Sequence, residues 1–355
     1  MGETARLSFA RWRNRLISSP RVRALASWFP PARRPAQRYA RTVFDITAGF
    51  VYSQVAHAIV ESGLLTRLLQ GPISLEEAAG RAGLSEPATL TLLKAAASID
   101  LVETHGDHFI AGATGAALAA TPGLAEMIGH HRLLYQDLAD PLALLRAGRG
   151  RLADLWRYDS DADPAEVARY SALMAATQPM IAEQAIAAYS FTRHRRMLDI
   201  GGGLGGFIGA VARIAPDLKF GLLDRPEVLS RASPSLSATL HPGSFEDPLP
   251  CGYDLITLVR ILHDHDDPVV ERLLPNVRAA LPAQGRVLIV EPLAETRAAA
   301  PMGHGYFGLY LTAMGSGRPR SFSEYRAMLT KAGFRKVRRC ATPVPLIASV
   351  IVAET

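Results

Sequence analysis

The chain has 355 residues, of which 48% are hydrophobic, and a net charge of +6. This length can hold one large or two ordinary domains with a sizeable core. The only cysteines, Cys251 and Cys340, exclude a disulfide framework and a four-cysteine zinc site. No apolar run approaches the roughly 18 residues that span a bilayer, so we expect a cytoplasmic protein in a reducing compartment.

The positive charge is concentrated at the amino end. Residues 1–41 hold ten arginines, no lysine and one acid, Glu3, so this arm carries +9 and leaves −3 for the rest of the chain. Aromatic residues such as Trp12 and Trp28 alternate with the arginines. This composition is typical of segments that lie on an anionic membrane surface, and it is shared by solvated arms, partner-binding arms and transit peptides.

Residues 42–190 predict a second, mainly helical region. Apolar residues recur at helical spacing up to Gln70, and two short helices then open at Ser74 and Ser85. A hairpin with its tip at Gly106 follows. Two short helices and a hairpin outline a winged-helix module. Its second helix carries a single basic residue, Lys94, which is too little charge for binding DNA, so a structural role is favoured over nucleic-acid recognition.

The segment from Met197 to Phe207, MLDIGGGLGGF, predicts a nucleoside-binding turn. A strand ends here in Asp199 and Ile200, and three spaced glycines then let bare backbone approach a ligand closely: Gly201, Gly203 and Gly205. The glycines satisfy both the GxGxxG pattern of dinucleotide binders and the GxGxG pattern of S-adenosylmethionine (SAM) binders, so the loop alone does not choose between them.

Further strands bring more polar groups to the same edge of a sheet. Residues 219–223 predict a strand ending at Asp224, where a carboxylate can accept both ribose hydroxyls. Strands near 254 and 287 end close to Arg260 and Glu291, and His263 follows the first of them. Open α/β sheets bind ligands at the carboxyl ends of their strands. The last two strands, 336–341 and 346–353, predict an antiparallel hairpin, which favours a methyltransferase sheet over a dehydrogenase.

These residues together resemble the caffeic acid O-methyltransferase-like family of SAM-dependent O-methyltransferases. The resemblance rests on the glycine loop, on Leu223-Asp-Arg-Pro-Glu-Val228, on Gly243-Ser-Phe245, and on Arg260 with His263 and Glu291 placed 28 residues later. Within that family the chain is similar to bacterial 1-hydroxycarotenoid O-methyltransferases from about Arg11 to its end. The most particular shared strings are Phe44 to Gln54, Leu138 to Leu145 and Tyr306 to Arg320.

The resemblance implies a fold, a cofactor and roles for residues. The fold is a class I SAM methyltransferase Rossmann-like α/β sheet in residues 191–355, preceded by a winged-helix-like domain that builds a homodimer. SAM is the implied cofactor, and its implied ligands are Asp199, Gly201, Gly203, Gly205, Asp224, Ser244, Phe245 and Arg260. His263 is the implied base and Glu291 its orienting carboxylate. The acceptor pocket is expected to draw on Met174, Gln178, Met180, Tyr306, Phe307, Tyr310 and Met314.

The chain departs from the phenol-methylating members of that family at three positions. Pro319 stands where they carry a second glutamate, His265 where they carry tryptophan, and Gly243 where they carry an aspartate, which leaves Phe245 to flank the adenine. These losses favour a non-phenolic acceptor, and the resemblance implies that this acceptor is a hydroxylated carotenoid. A phenolic or polyketide acceptor is the alternative, and a winged-helix regulator that has kept a SAM fold is an alternative of another class.

The run His263-Asp-His-Asp-Asp267 also resembles a metal site. A metallo-β-lactamase pattern would need a histidine at Pro268, and no downstream set of ligands has suitable spacing, so we expect no metal. Asp264, Asp266 and Asp267 are interpreted as polar residues or as residues at the start of a helix, where negative charge suits the helix dipole.

Overall fold

The computed structural model describes residues 2–155, 164–297 and 299–355. The chain forms two compact units, Met1–Ala116 and Ala117–Thr355. The predicted regions, with boundaries after residues 41 and 190, divide the chain differently. Helices between 117 and 190 belong with the sheet because they supply apolar side chains such as Ile181 and Ala185 to its core.

Helices and strands of the described residues are numbered here in chain order. The α-helices are α1 Glu3–Ser18, α2 Pro20–Trp28, α3 Pro30–Glu61, α4 Leu64–Leu69, α5 Leu75–Ala82, α6 Glu86–Ser98, α7 Ala113–Ala120, α8 Leu124–Asp137, α9 Pro141–Ala147, α10 Leu152–Leu155, α11 Pro164–Ala188, α12 Gly206–Ala212, α13 Pro226–Leu229, α14 Asp267–Ala280, α15 Gly308–Met314 and α16 Phe322–Lys331. The strands are β1 Ile73–Ser74, β2 Val102–His105, β3 His108–Ala111, β4 Arg196–Ile200, β5 Lys219–Asp224, β6 Ala238–Pro242, β7 Leu255–Val259, β8 Arg286–Glu291, β9 Arg335–Cys340 and β10 Ser349–Glu354.

The amino-terminal unit contains the predicted helices and hairpin. Strands β2 and β3 pair antiparallel, and the short strand β1, which the sequence pattern does not indicate, pairs with β3. Helix α5 begins where the Ser74 hydroxyl accepts a hydrogen bond from the Glu77 amide. The predicted continuous helix up to Gln70 is broken at Gly63, whose left-handed backbone separates α3 from α4.

Helix α3 combines great length with an apolar composition. By length and composition it is apolar enough to cross a membrane, and only 6% of its most apolar window is buried. The helix still contains no uninterrupted apolar run of about 18 residues, because polar residues such as Asp45 and His57 interrupt it. Buried helices of soluble proteins meet the same criteria.

The carboxyl-terminal unit is built on a seven-stranded sheet of order β6-β5-β4-β7-β8-β10-β9. The first five strands are parallel, and β10 is antiparallel to both β8 and β9. The predicted mainly parallel sheet with an antiparallel end is confirmed. Because β5, β4, β7 and β8 are parallel neighbours, their carboxyl ends form one continuous edge.

Helices cover both faces of this sheet. Side chains alternate along each strand, so that in β4 Met197 packs in the cluster that includes α11 and α12, whereas Leu198 and Ile200 pack in the cluster that includes α14 and α16. Asp199 shares the face of Met197 and is completely buried. A carboxyl group thus lies inside an apolar layer directly before the glycine loop.

Candidate active site

A cavity of about 250 Å³ opens at the carboxyl ends of β4, β5 and β7. In open α/β sheets, ligands bind between two neighbouring strands whose following helices lie on opposite faces of the sheet. Strands β4 and β7 are such a pair here. Six of the eight predicted cofactor residues line the cavity: Gly201, Gly203, Asp224, Ser244, Phe245 and Arg260. The other two, Asp199 and Gly205, are absent from its walls.

Asp224 joins the end of β5 to the glycine loop. Its Oδ2 accepts a hydrogen bond from the Gly203 amide at 2.8 Å, and its Oδ1 accepts from the Arg225 amide at 2.8 Å. Gly203 has φ of +60°, and a Cβ at this position would meet nothing within 4 Å. Bare backbone therefore faces the cavity beside a carboxylate, which is the arrangement that a ribose requires.

Asp199 lies beneath the glycine loop, and its contacts indicate whether the residues here fit SAM. Its Oδ1 accepts from the Thr257 hydroxyl at 2.6 Å, whereas its Oδ2 has no hydrogen-bond partner among the described residues. Burial raises the pKa of Asp199 to about 7. A Cβ added at Gly202 would approach this Oδ2 to 2.4 Å, so the unpaired oxygen lies against the loop. A cationic ammonium group, as SAM carries, suits such an acceptor.

Gly205 packs closely against Leu236. A Cβ on this residue would lie 2.4 Å from a methyl carbon of Leu236. The next residue, Gly206, begins helix α12 and lines the cavity in its place.

Arg260 directly follows β7 and connects the cavity wall to helix α11. Its guanidinium donates to the Thr177 hydroxyl at 2.7 Å, to Oε1 of Gln178 at 2.6 Å and to the carbonyl of Met174 at 3.0 Å. Met174 and Gln178, two predicted acceptor residues, also line the cavity. Arg260 thus holds the backbone of Met174 and the side chain of Gln178 at the cavity wall.

The structure brings His263 and Glu291 together. Nδ1 of His263 lies 2.7 Å from Oε2 of Glu291, and both side chains are buried. The backbone amides of Ile261, Leu262 and His263 also donate to the Glu291 carboxylate at 2.6 to 3.0 Å. Although burial alone raises the pKa of Glu291, the charge of His263 and these donors lower it below its usual value.

Asp264 contacts the other ring nitrogen of His263, with 3.0 Å between Oδ1 and Nε2. Burial lowers the pKa of His263, but the charges of Asp264 and Glu291 outweigh this effect and raise the pKa to about 10. Of the two interpretations of Asp264, as a polar residue or as a residue at a helix start, the first holds: it lies in the turn Leu262–Asp264 before α14, and its carboxylate contacts the imidazole.

Two arginines fix the turn that carries His263. Arg320 is fully buried and donates to the carbonyls of Leu262 and His265 at 2.6 and 2.8 Å and to the Asp267 carboxylate. Arg318 also donates to Asp267 through its side chain, and its backbone amide donates to the carbonyl of His263 at 2.9 Å. His263 therefore sits on backbone that is held from both sides.

The remaining predicted acceptor residues lie outside the cavity walls. Met180 packs against the apolar core of the sheet. The aromatic residues and Met314 form a cluster on α8, α9, α10 and α15, and the Tyr306 ring stacks on Tyr310 with 5.6 Å between centroids. Phe307 meets His263 edge-on at 5.8 Å. In the structure these side chains pack against one another.

Several residues of this site carry no signal in the sequence pattern. His265 lines the cavity and meets Phe245 edge-on at 4.9 Å, and the Tyr325 hydroxyl donates to Glu291 at 2.9 Å. His131 and His130 contact the hydroxyls of Tyr306 and Tyr310 at 2.8 and 3.0 Å. Contacts across 20 to 180 positions of sequence bring these groups together. Within the described ranges, no group of three or more His, Cys, Asp or Glu side chains is arranged to hold a metal ion.

Comparison with known proteins agrees with this geometry. Residues 135–335 match the O-methyltransferase domain family. The demethylspheroidene O-methyltransferase of Rhodobacter capsulatus is 42% identical and the alignment covers 96% of this chain and 88% of the relative. The enzyme of the same name from Cereibacter sphaeroides is 38% identical, with coverage of 98% and 95%.

Solved structures agree as well. Human N-acetylserotonin methyltransferase in complex with SAM superposes with a TM-score of 0.76 at 24% identity, over 89% of this chain and 97% of that one. A methyltransferase of calicheamicin biosynthesis, with SAH bound, gives 0.75 at 26% identity, over 89% and 98%. The chain belongs to the O-methyltransferase family, and it is an S-adenosylmethionine-dependent O-methyltransferase.

Proposed function

We propose that this enzyme methylates the hydroxyl group of a 1-hydroxycarotenoid in carotenoid biosynthesis. The observation that carries the proposal is the identity of 38 to 42% over nearly the whole chain to two enzymes named for demethylspheroidene. The apolar, aromatic cluster that reaches His263 through Phe307 supports a long hydrophobic acceptor.

The cofactor side of the site is assigned from the cavity. Asp224 and the Gly203 backbone would hold the ribose, Asp199 the ammonium group, and Phe245 with His265 the adenine. Bound SAM supplies a methyl group that is already activated on a sulfonium. Arg260 organises the wall on which the acceptor enters, because it fixes Met174 and Gln178.

His263 is the proposed base. Between two carboxylates it holds a proton at neutral pH, because its pKa is raised to about 10. An acceptor hydroxyl reaches Nε2 only if Asp264 leaves that nitrogen, and this departure removes one of the charges that raise the pKa. The imidazolium then loses its Nε2 proton to solvent, and the neutral imidazole, whose Nδ1–H still donates to Glu291, accepts the hydroxyl proton at Nε2.

The chemistry of the acceptor determines the timing of this proton transfer. A phenol has a pKa of about 10, and a tertiary alcohol is a much weaker acid, so histidine does not deprotonate it in advance. Proton removal therefore accompanies or follows methyl transfer, and alignment of the oxygen with the methyl carbon becomes the larger contribution.

A phenolic or polyketide metabolite is the alternative acceptor, since more distant relatives include the mitomycin biosynthesis 6-O-methyltransferase of Streptomyces lavendulae at 29% identity. The test is single-turnover transfer of labelled methyl from SAM to demethylspheroidene and to a panel of phenols. Transfer to phenols alone would overturn the carotenoid proposal. Cofactor binding without transfer to any acceptor would support a regulator.

We infer that a second copy of the chain covers helix α3, as the resembled family implies. Its apolar side chains are highly exposed, for example Phe44, Ile46 and Phe50 at 63 to 78%. Sedimentation equilibrium of the intact protein should give a dimer. Serine substitutions at these three positions should give monomers that still bind SAM, whereas a wild-type monomer in solution would contradict the inference.

The arginine arm is proposed to attach the enzyme to the cytoplasmic face of an anionic membrane, where a carotenoid would dissolve. In helix α1, Phe9, Trp12 and Leu16 form one exposed stripe, and arginines at 6, 11, 13 and 15 flank it on both sides. Such helices lie in the membrane interface. No role in nucleic-acid binding is proposed, because the winged-helix module lacks a basic helix.

The stripe offers a matched test of attachment. Serine at Phe9, Trp12 and Leu16 should release the full-length protein from vesicles of anionic lipid, whereas serine at Leu7 and Ile17, outside the stripe, should not. Attachment should weaken with salt, since each arginine contributes about 1 kcal/mol that is screened over about 8 Å. Equal sedimentation of both variants with the vesicles would show that the arm binds something else.

A further inference from the structure

The hydroxyl of Tyr325 lies one hydrogen bond from the proposed base pair. Tyr325 is on helix α16, it is completely buried, and its hydroxyl donates to Oε2 of Glu291 at 2.9 Å. The same Oε2 faces Nδ1 of His263 at 2.7 Å. A single carboxylate oxygen thus connects the phenol to the imidazole.

We propose that Tyr325 is a positioning residue for methyl transfer, which sets the orientation and the basicity of His263 through Glu291. This inference rests on the proposed role of His263 as the base.

The number of donors around Glu291 separates this role from simple pairing of a buried charge. A carboxylate offers about four acceptor sites. Three backbone amides and Nδ1 of His263 already occupy that number, and Tyr325 is a fifth donor. Because Glu291 has sufficient partners without Tyr325, the hydroxyl instead divides the charge of Oε2 between itself and the imidazole.

The contact is available at every pH at which the enzyme works. Burial, and then the adjacent charge of Glu291, raise the pKa of Tyr325 well above that of an ordinary tyrosine, so the hydroxyl remains a donor. While it donates, Oε2 attracts the Nδ1 proton less strongly. Removing it should concentrate charge on Oε2, stabilise the imidazolium and let the carboxylate rotate away from the plane of the ring.

The chain contains a matched control for this hydroxyl. Tyr253 lies in the same apolar cluster, is 2% exposed, and its hydroxyl contacts Nε2 of His241 at 2.7 Å, away from Glu291. Both Tyr325→Phe and Tyr253→Phe remove one buried hydroxyl and keep the ring. A merely structural contribution should therefore affect the two variants alike.

The first experiment measures single-turnover methylation of demethylspheroidene by full-length enzyme across pH. Tyr325→Phe should lower the rate about tenfold near neutral pH, the equivalent of one hydrogen bond to a charged group. It should move the pH of half-maximal rate upward and leave SAM affinity unchanged. Tyr253→Phe should change neither the rate nor the profile. Equal pH profiles for Tyr325→Phe and Tyr253→Phe would overturn the proposal.

A second measurement does not depend on how stable the single variant is. In a Glu291→Gln background, Tyr325→Phe should have no additional effect on the rate, because Glu291 carries the coupling. An additional tenfold loss in that background would show that Tyr325 acts by another route and would overturn the proposal.

A third measurement needs no acceptor and separates this inference from the proposed function. The titration of His263 can be followed by NMR in protein labelled at histidine nitrogen and assigned with His263→Gln. Its midpoint should be higher in Tyr325→Phe than in wild type and unchanged in Tyr253→Phe. If the wild-type enzyme methylates no carotenoid, the proposed function fails, and this midpoint still decides the inference: an unmoved midpoint overturns it.

Discussion

Two stretches of the same sheet edge differ in how completely they are organised. At the carboxyl ends of β7 and β8, the turn with His263 is held by Glu291, Asp264 and two arginines. Behind β4 and β5, a cavity of about 250 Å³ is open, and Oδ2 of Asp199 has no partner within the described part of the chain. At the first stretch the protein's own side chains hold the polar groups in place. At the second stretch an open cavity and an unpartnered carboxylate oxygen remain for a ligand.

This difference predicts that the two stretches contribute to different quantities, one to the rate of methyl transfer and the other to the affinity for SAM. A base that is held in place before any ligand arrives lowers the cost of reaching the transition state. Unpaired polar groups around a cavity instead contribute to cofactor binding, because the ligand relieves the free-energy cost of leaving them without partners. Substitutions on the β7 and β8 side should therefore lower kcat, and those on the β4 and β5 side should weaken SAM binding.

The largest effect is expected for His263→Ala. Single-turnover methylation should fall about 10²- to 10⁴-fold, the usual contribution of a general base, while the Kd for SAM stays nearly constant. In the wild type the rate should rise with pH above neutrality, since His263 has a raised pKa and must lose its proton to act. An unchanged rate in the variant would show that alignment alone drives transfer.

Substitutions at two glycines, one in each stretch of the sheet edge, should give the next largest effects. Gly317→Ala should lower Tm and turnover together, because φ at this residue is +79° and the new Cβ would lie 2.1 Å from the carbonyl oxygen of His263. Gly203→Ala places its Cβ in open space at the cavity, so it carries the strain of its φ of +60° but no collision; Tm should fall less than in Gly317→Ala, while SAM binding weakens at least about tenfold. Thermal unfolding and calorimetry measure the two outcomes, and the reverse pattern would contradict the comparison.

Asp199 should make cofactor binding dependent on pH. Its pKa is raised to about 7, so the folded protein keeps a proton that the unfolded chain loses near pH 4. The folded state thus binds more protons across this window, and its stability from Asp199 falls as pH rises from about 4 to about 7. SAM, whose ammonium favours the carboxylate, should bind up to about tenfold more tightly at pH 8 than at pH 6 and release a proton at the lower pH.

The number of protons released when SAM binds is measured by calorimetry in buffers of different ionisation enthalpy. The control is Asp199→Asn, in which the pH dependence and the proton release should both disappear. Equal proton release by the variant would assign the effect to another group.

The smallest effect is expected from chelation. Activity should survive exhaustive treatment with a chelator, because the methyl group on a sulfonium needs no metal for activation. Loss of activity that a divalent ion restores would make the run from His263 to Asp267 a metal site after all.

The sequence by itself determined the sheet and much of the cavity. Strands β4, β5, β7 and β8 are mainly apolar, which is the pattern of strands buried on both faces, and each ends in or is followed by a glycine or a polar residue at the site. The spacing of His263 and Glu291, together with the family resemblance, was enough to expect their contact.

Only the tertiary structure decided which groups surround that pair. Asp264, Arg320 and Tyr325 have residue types that are ordinary for a turn or a helix, and their roles depend on the packing of α16 and the 316–320 segment against the turn Leu262–Asp264. Likewise, Phe307 meets His263 because the π-helix Pro301–Phe307 rotates it there. Periodicity reports the face on which a residue lies, but contacts over tens of positions depend on three-dimensional packing.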